Sequence, residues 1–168
     1  MYKIHNVLSN EEREKIIKDV QPFFLNNEQM NIRYNNNRGY PGKQTDAQLH
    51  LKPEFVSVMK KILDKIKKET KLNLAIRSSW IKWSNGRKDQ VNWHHHYLYK
   101  DASFAAVYYL KTLPFFSNGT LFEDGFVRAP QNSMIIFPAH ILHTTPTNPF
   151  PFIDRYVMSL DLYISNSV

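Results

Sequence analysis

Three consecutive histidines, His94, His95 and His96, follow Asn92-Trp93, and two more, His140 and His143, follow an apolar run ending in Phe137-Pro138. Side chains at i and i+2 of an extended strand share a face. His94 and His96 therefore project together, with imidazoles close enough to share one metal ion, while His95 points away. A near pair on one strand and a distant histidine, here His143, on a strand returning beside it is how a jelly roll assembles three ligands. Imidazole suits iron, zinc, copper or nickel alike, so residue type alone does not choose the metal. No His-Glu-x-x-His occurs, which removes the helical zinc-protease motif. The competing reading is an exposed histidine cluster without chemistry. Three adjacent histidines and a later one after a strand-like run weigh towards metal.

The rest of the composition narrows the donors. The chain has 168 residues and no cysteine, so disulfides, thiolate metal sites and a cysteine nucleophile are all excluded. A metal must then be held by histidine and carboxylate. At 42% hydrophobic and 22% charged, the composition is that of a soluble globular protein, and the length fits one domain spanning 1–168 with a real core. The N-terminal MYKIHNVLSNEEREK has no apolar signal-peptide segment, and no run of about 18 apolar residues exists. A cytoplasmic protein that does not span a membrane is expected. The net charge is +7, with many lysines in residues 60–71 (KKILDKIKKETK). That run reads first as the solvated face of an amphipathic helix and second as a surface for an anionic partner. Aromatics make up 14% but lie in apolar runs, without the basic interleaving of a single-strand nucleic-acid platform.

The elements that must position the histidines divide the chain in two. Ser9 with Glu11, Glu12 and Glu14 marks a helix start, and Ile16, Ile17, Val20 and Phe23 form its apolar stripe. Residues 26–46 carry Asn35-Asn36-Asn37, Gly39 and Pro41-Gly42 and read as a long loop or a loop with a short strand, a candidate substrate lid. A second helix starts near Pro53, where Phe55, Val58, Met59, Ile62, Leu63 and Ile66 recur at helical spacing. From about Leu72 the pattern changes to strands: 74–83, 104–110, 119–123, 133–138 and 155–164, with turn signals between them. The predicted fold class is α+β: a double-stranded β-helix (jelly-roll, cupin-like) core buttressed by N-terminal helices.

With those strands in order, the second half of the chain, from about Trp80 to Tyr163, resembles the iron(II)- and 2-oxoglutarate-dependent oxygenases of the prolyl-hydroxylase-like type. His94-x-His96 stands in the place of that family's His-x-Asp. Ala105-Ala106-Val107-Tyr108-Tyr109-Leu110 resembles the strand that follows. Gly119-Thr120-Leu121-Phe122 resembles its G-G-x-L-x-F piece, and the run from Met134 to His143, then Arg155, resembles its closing F-P…H…R segment. The resemblance implies that His94 and His143 are metal ligands and that Arg155 holds the distal carboxylate of 2-oxoglutarate. Tyr109 would donate to the same carboxylate, and Ser159, on the Arg155 face, is within reach of the co-substrate. An arginine fork pairs with a carboxylate bidentately, and a buried phenol adds a neutral donor. For Arg155 the competing reading is a surface salt bridge with Asp154, and for Tyr109 plain core packing.

Three positions depart from the family pattern. Position 96 is histidine where the usual site has a carboxylate, so the third ligand is either His96 or Asp101, five residues on. A three-histidine site carries one negative charge fewer, which raises the metal's potential and weakens its retention. Position 157 is valine where serine is frequent. Asn132 stands where a turn glycine is common, and asparagine tolerates the left-handed conformation.

The activity implied is oxidative decarboxylation of 2-oxoglutarate to succinate, coupled to hydroxylation of a substrate, with Fe(II), dioxygen and ascorbate as an accessory reductant. The substrate is left open among a peptide side chain, an amino acid and a nucleobase. Two rivals stand beside it. One is a cupin-like metal-binding protein without oxygenase activity, an isomerase or small-molecule-binding module, since jelly rolls host many functions. The other is a nucleic-acid-binding protein using the positive charge.

Overall fold

Ser9 opens the first helix through a reciprocal pair of bonds. Its hydroxyl accepts from the Glu12 backbone N–H at 3.2 Å, and the Glu12 carboxylate accepts from the Ser9 N–H at 2.9 Å. This capping box satisfies two donors that the first turn would otherwise leave unmade. Helix α1 (Asn10–Asp19) buries Ile16 and Val20 just beyond it. It stops short of Phe23, which the apolar stripe had included. A 3-10 turn at Gln21–Phe23 carries that ring edge-on against Phe55, with centroids 5.7 Å apart. Helix α2 (Pro53–Thr70) begins with proline, whose missing N–H is free of cost at that position. Phe55, Met59, Ile62 and Ile66 are buried as their spacing predicts. Lys61 of α2 forms an ion pair with Glu12 of α1.

The structure is a computed structural model that describes residues 1–26, 28–29, 43–84, 92–96, 103–112, 118–146 and 153–165. Its strands in chain order are β1 (Tyr2–His5), β2 (Lys43–Gln44), β3 (Leu74–Ser84), β4 (Phe104–Lys111), β5 (Gly119–Phe122), β6 (Gly125–Arg128), β7 (Ser133–Pro138), β8 (His143–Thr144) and β9 (Arg155–Ile164). They pair antiparallel into a six-stranded sheet, β1-β7-β4-β9-β3-β2, and a three-stranded sheet, β6-β5-β8. The class is α+β with a jelly-roll core, as expected. The five strands foreseen from pattern are present to within a residue or so at each end. β2 is the short strand allowed for within residues 26–46, whereas β1, β6 and β8 were not foreseen, because two to four residues carry too little alternation to register.

The large sheet has two differently built faces. Ala106, Tyr108 and Leu110 of β4, Met134 and Ile136 of β7, and Tyr156, Met158, Leu160 and Leu162 of β9 join α1 and α2 in one apolar cluster. The intervening residues Ala105, Val107, Tyr109, Ile135, Phe137 and Val157 turn the other way and meet Phe122 of the small sheet. A bulge between Ile76 and Ser78 breaks the alternation of β3. Leu74 and Ile76 before it and Ile81 and Trp83 after it all pack on the helical side. Ser78 is thereby moved to the inner face, opposite Asp161. One extra residue in a strand has this effect because the side-chain period is two.

Two local features hold the small sheet and its connections. A Cβ on Gly119 would lie 2.1 Å from the Val127 carbonyl oxygen, so only glycine admits this approach of β5 to β6. Asn132 has φ 62°, the left-handed conformation expected of it. Its side chain accepts from Leu8 N–H at 3.1 Å and from the Tyr108 hydroxyl at 2.8 Å, and donates to Leu8 O at 2.7 Å. No described helix is long and apolar enough to cross a membrane.

Candidate metal centre

His94 and His143 face each other across the inner side of the barrel. Each donates its backbone N–H to the other's carbonyl, at 3.0 and 2.9 Å, in an isolated antiparallel bridge. The His96 N–H donates to Ala139 O at 2.8 Å. The near pair was expected on a strand, and among the described residues 92–96 only this bridge is formed. Two backbone anchors, at His94 and His96, suffice to aim both side chains inward, and His95 is exposed as the alternation requires. His140 is also exposed and takes no part. One ring nitrogen from each of His94, His96 and His143 lies within 4.8 Å of the others.

The hydrogen bonds identify which nitrogens these are. Nδ1 of His94 faces Asn92 O at 2.8 Å, Nδ1 of His143 faces Ile141 O at 3.0 Å, and Nδ1 of His96 faces Asp161 Oδ1 at 2.5 Å. All three partners are acceptors, so each Nδ1 carries a proton, and in a neutral ring the lone pair is then left on Nε2. Metal-bound imidazoles have this arrangement, with the outer N–H tied to a carbonyl or carboxylate. Burial holds His143 neutral, down to about 3, helped by the neighbouring His94 and His96 and opposed by the Ile141 carbonyl and Asp161. Burial also lowers His94, with the Asn92 carbonyl opposing it and His96, Lys82 and His95 adding to it. Neutral imidazole is the form that binds metal.

Asp161 was not anticipated. It is 1% exposed at the base of the inner face of β9, and it also accepts from the Ser78 hydroxyl. Trp80 lies nearly parallel to the His96 ring, with centroids 5.7 Å apart and planes 16° apart. His143 lies nearly parallel to it as well, at 5.2 Å and 15°. The signal for Asp161 was present in the sequence. The alternation that carries Arg155 and Ser159 to one face carries Asp161 there also.

Arg155 is 5% exposed, so a surface salt bridge with Asp154 is not what it makes. Its Nε donates to Ser84 Oγ at 3.2 Å and a terminal nitrogen to Pro146 O at 2.9 Å. Asp154 instead accepts from the Trp83 indole N–H at 3.0 Å. Tyr109 is fully buried, with its hydroxyl 2.7 Å from Thr120 Oγ1. Burial pushes its phenol upward, against the Thr120 bond and the positive charge of Arg155. Ser159 is half-buried on the Arg155 face, opposite Trp80 and Val107. Lys82, opposite Val157, brings a second cation close enough to depress His94. Asp101, the alternative ligand, and most of the candidate lid, positions 27 and 30–42, lie outside the described residues.

No family model and no curated protein sequence matches the chain. Solved structures do. A viral collagen prolyl hydroxylase, vCPH from Paramecium Bursaria Chlorella virus-1, solved as a 2OG complex, is 14% identical with a TM-score of 0.61, covering 98% of this chain and 96% of its own. HygX from Streptomyces hygroscopicus, with nickel and 2-oxoglutarate bound, is 8% identical with a TM-score of 0.68, covering 98% and 82%. SnoN, a non-heme alpha ketoglutarate dependent epimerase from nogalamycin biosynthesis, is 10% identical with a TM-score of 0.69, covering 97% and 77%. The chain thus has the jelly-roll fold of the 2-oxoglutarate-dependent oxygenases, with three histidines converging inside it.

Proposed function

We propose that this chain is an iron(II)- and 2-oxoglutarate-dependent dioxygenase that hydroxylates an organic substrate. The observation that carries the reading is the convergence of one ring nitrogen from each of three histidines inside a jelly roll, each ring fixed by an acceptor at Nδ1. The donor set fits a borderline first-row cation such as Fe(II), and His94, His96 and His143 would hold it from one side. Asp101 stays the alternative third ligand.

Bound there, iron with 2-oxoglutarate and dioxygen would supply oxidative decarboxylation to succinate and oxidation of a substrate C–H bond. The chain's own part is binding and orientation. Arg155 is already held as a buried fork by Ser84 and Pro146, and a distal carboxylate would meet it without further ordering of the side chain. Tyr109 stays protonated in its buried position and so offers an O–H, while Ser159 adds a hydroxyl on the same face. Val107, Val157, Ile135 and Phe137 form a buried apolar cluster on that face, and low-dielectric surroundings of this kind would strengthen an arginine–carboxylate pairing.

Epimerisation in place of hydroxylation is the second reading, favoured by the epimerase among the similar structures, which is itself alpha ketoglutarate dependent and so lends nothing to a non-oxygenase isomerase. A cupin-like binding module gains less, because it has no use for a buried arginine on the histidine face. Peptide, amino-acid and nucleobase substrates all stay within the proposal.

The test is succinate formation from 2-oxoglutarate with Fe(II) and ascorbate, comparing wild type with His143→Ala and Arg155→Ala. The expected result is wild-type turnover that is abolished in His143→Ala and that Arg155→Ala shows only at high 2-oxoglutarate. Metal binding with no 2-oxoglutarate binding and no succinate would sink the oxygenase reading in favour of the binding module.

A further inference from the structure

The usual iron site has a carboxylate on the metal, whereas in this chain a buried carboxylate stands behind one of the three histidines. Position 96 is a histidine, yet a carboxylate still serves the site: Asp161 Oδ1 lies 2.5 Å from His96 Nδ1. Asp161 is 1% exposed and His96 9% exposed, so water does not screen the pair. A buried carboxylate needs donors, and Asp161 has two, the His96 ring N–H and the Ser78 hydroxyl.

Several independent features of the chain converge on this contact. The β3 bulge places Ser78 opposite Asp161 instead of on the helical side. Ala105 is the β4 partner of Asp161, and its small side chain leaves room on the inner face for the carboxylate. Trp80 and His143 hold the plane of the His96 ring by stacking. His94 and His143 are aimed by backbone carbonyls, whereas His96 alone is aimed by a charged side chain.

We propose that Asp161 is the positioning residue of the metal centre: through His96 it fixes the ring tautomer and supplies the charge that a directly bound carboxylate would have provided. This rests on the three-histidine reading of the site. A carboxylate at the outer nitrogen makes imidazole a stronger donor, and losing such a partner costs about 10–100-fold in metal affinity. A three-histidine centre without Asp161 would hold its metal weakly, and Asp161 offsets that loss.

Cobalt(II) binding tests the proposal without any turnover. Wild type, Asp161→Asn and Asp161→Ala would be titrated by calorimetry and by visible absorption of the bound ion. The His96 tautomer would be read from nitrogen-15 ring shifts of the metal-free proteins. Asparagine keeps the shape and one acceptor but removes the charge. Asp161→Asn is expected to keep the Nδ1–H tautomer and lose about tenfold in affinity, and Asp161→Ala to lose up to about a hundredfold with a mixed tautomer. If both variants fold and bind cobalt(II) as tightly as wild type, with an unchanged spectrum, Asp161 is only a core residue and the proposal fails. If wild type itself binds no cobalt(II), the three-histidine reading fails with it. Binding by wild type that is insensitive to position 161 overturns this inference alone.

Discussion

Strand β9 carries two sequences interleaved. Tyr156, Met158, Leu160 and Leu162 point to the helices and are almost wholly aliphatic or aromatic. Arg155, Val157, Ser159 and Asp161 point into the barrel, where two of the four are buried charges. The first face is held by apolar area removed from water, a term insensitive to exact partners. The second face forgoes much of that area and keeps its two buried charges because each has partners: Ser84 and Pro146 for Arg155, His96 and Ser78 for Asp161. Apolar packing and the candidate site are thus divided between the two sides of one sheet. The side facing the helices can make up for a costly inner face, since buried unpaired charge is what proteins tolerate least.

That division is open to attack from either side. The largest effect expected is on the inner face: His143→Ala should remove metal binding and succinate formation altogether. The metal-free melting temperature should fall by only a few degrees, because the helical face is untouched. A collapse of the fold in that variant, seen by circular dichroism, would show that the inner face is structural after all. Leu160→Ala is the mirror experiment. It should cost about 2–5 kcal/mol in urea denaturation, while the folded fraction binds metal as wild type does. A matching loss of metal affinity per folded molecule would mean that the two faces are coupled along the strand.

Acid provides a sharper, smaller test. His143 sits at about 3 in the folded chain against 6.5 ordinarily, so between those values the unfolded chain binds more protons. Metal-free stability is therefore complete above the ordinary value and drains as pH falls through it towards the folded one. The slope is about 1.4 kcal/mol per pH unit for this group. His94 is shifted in the same direction and adds to the slope. Denaturation at several pH values, with His143→Gln beside wild type, should show the slope reduced in the variant. An equal slope in both would remove His143 as its source.

The smallest effect is expected at Tyr109→Phe. Losing the bond to Thr120 should cost about 1 kcal/mol of stability. If the phenol also meets 2-oxoglutarate, the KM for that co-substrate should rise while kcat holds. A stability loss with KM unchanged would return Tyr109 to the core.

Much of this arrangement was legible from residue order. Periodicity marked α1, α2 and the five long strands, because each spans enough turns or alternations to show its period. His94, His96, His143 and Arg155 could be placed on the inner side because alternation is a local property of the chain. The same alternation extended to Asp161, yet an acidic residue near the end of a strand looks like a surface residue until its partner is known. Ser78 was beyond reach for a different reason. The bulge at Ile76–Ser78 shifts the phase of β3, and strict alternation then assigns the following residues to the wrong face.

By itself, the sequence determined which residue types were available: histidine and carboxylate donors with no thiols, helices before strands, and an arginine in step with the inner face. Only the tertiary structure decided how they combine. It brought β8 back against 92–96 so that three rings meet within 4.8 Å, and it buried Asp161 against His96. Those contacts join residues far apart in the chain. Their strength comes from the low dielectric and fixed orientation that packing creates, and no local pattern in the sequence encodes either.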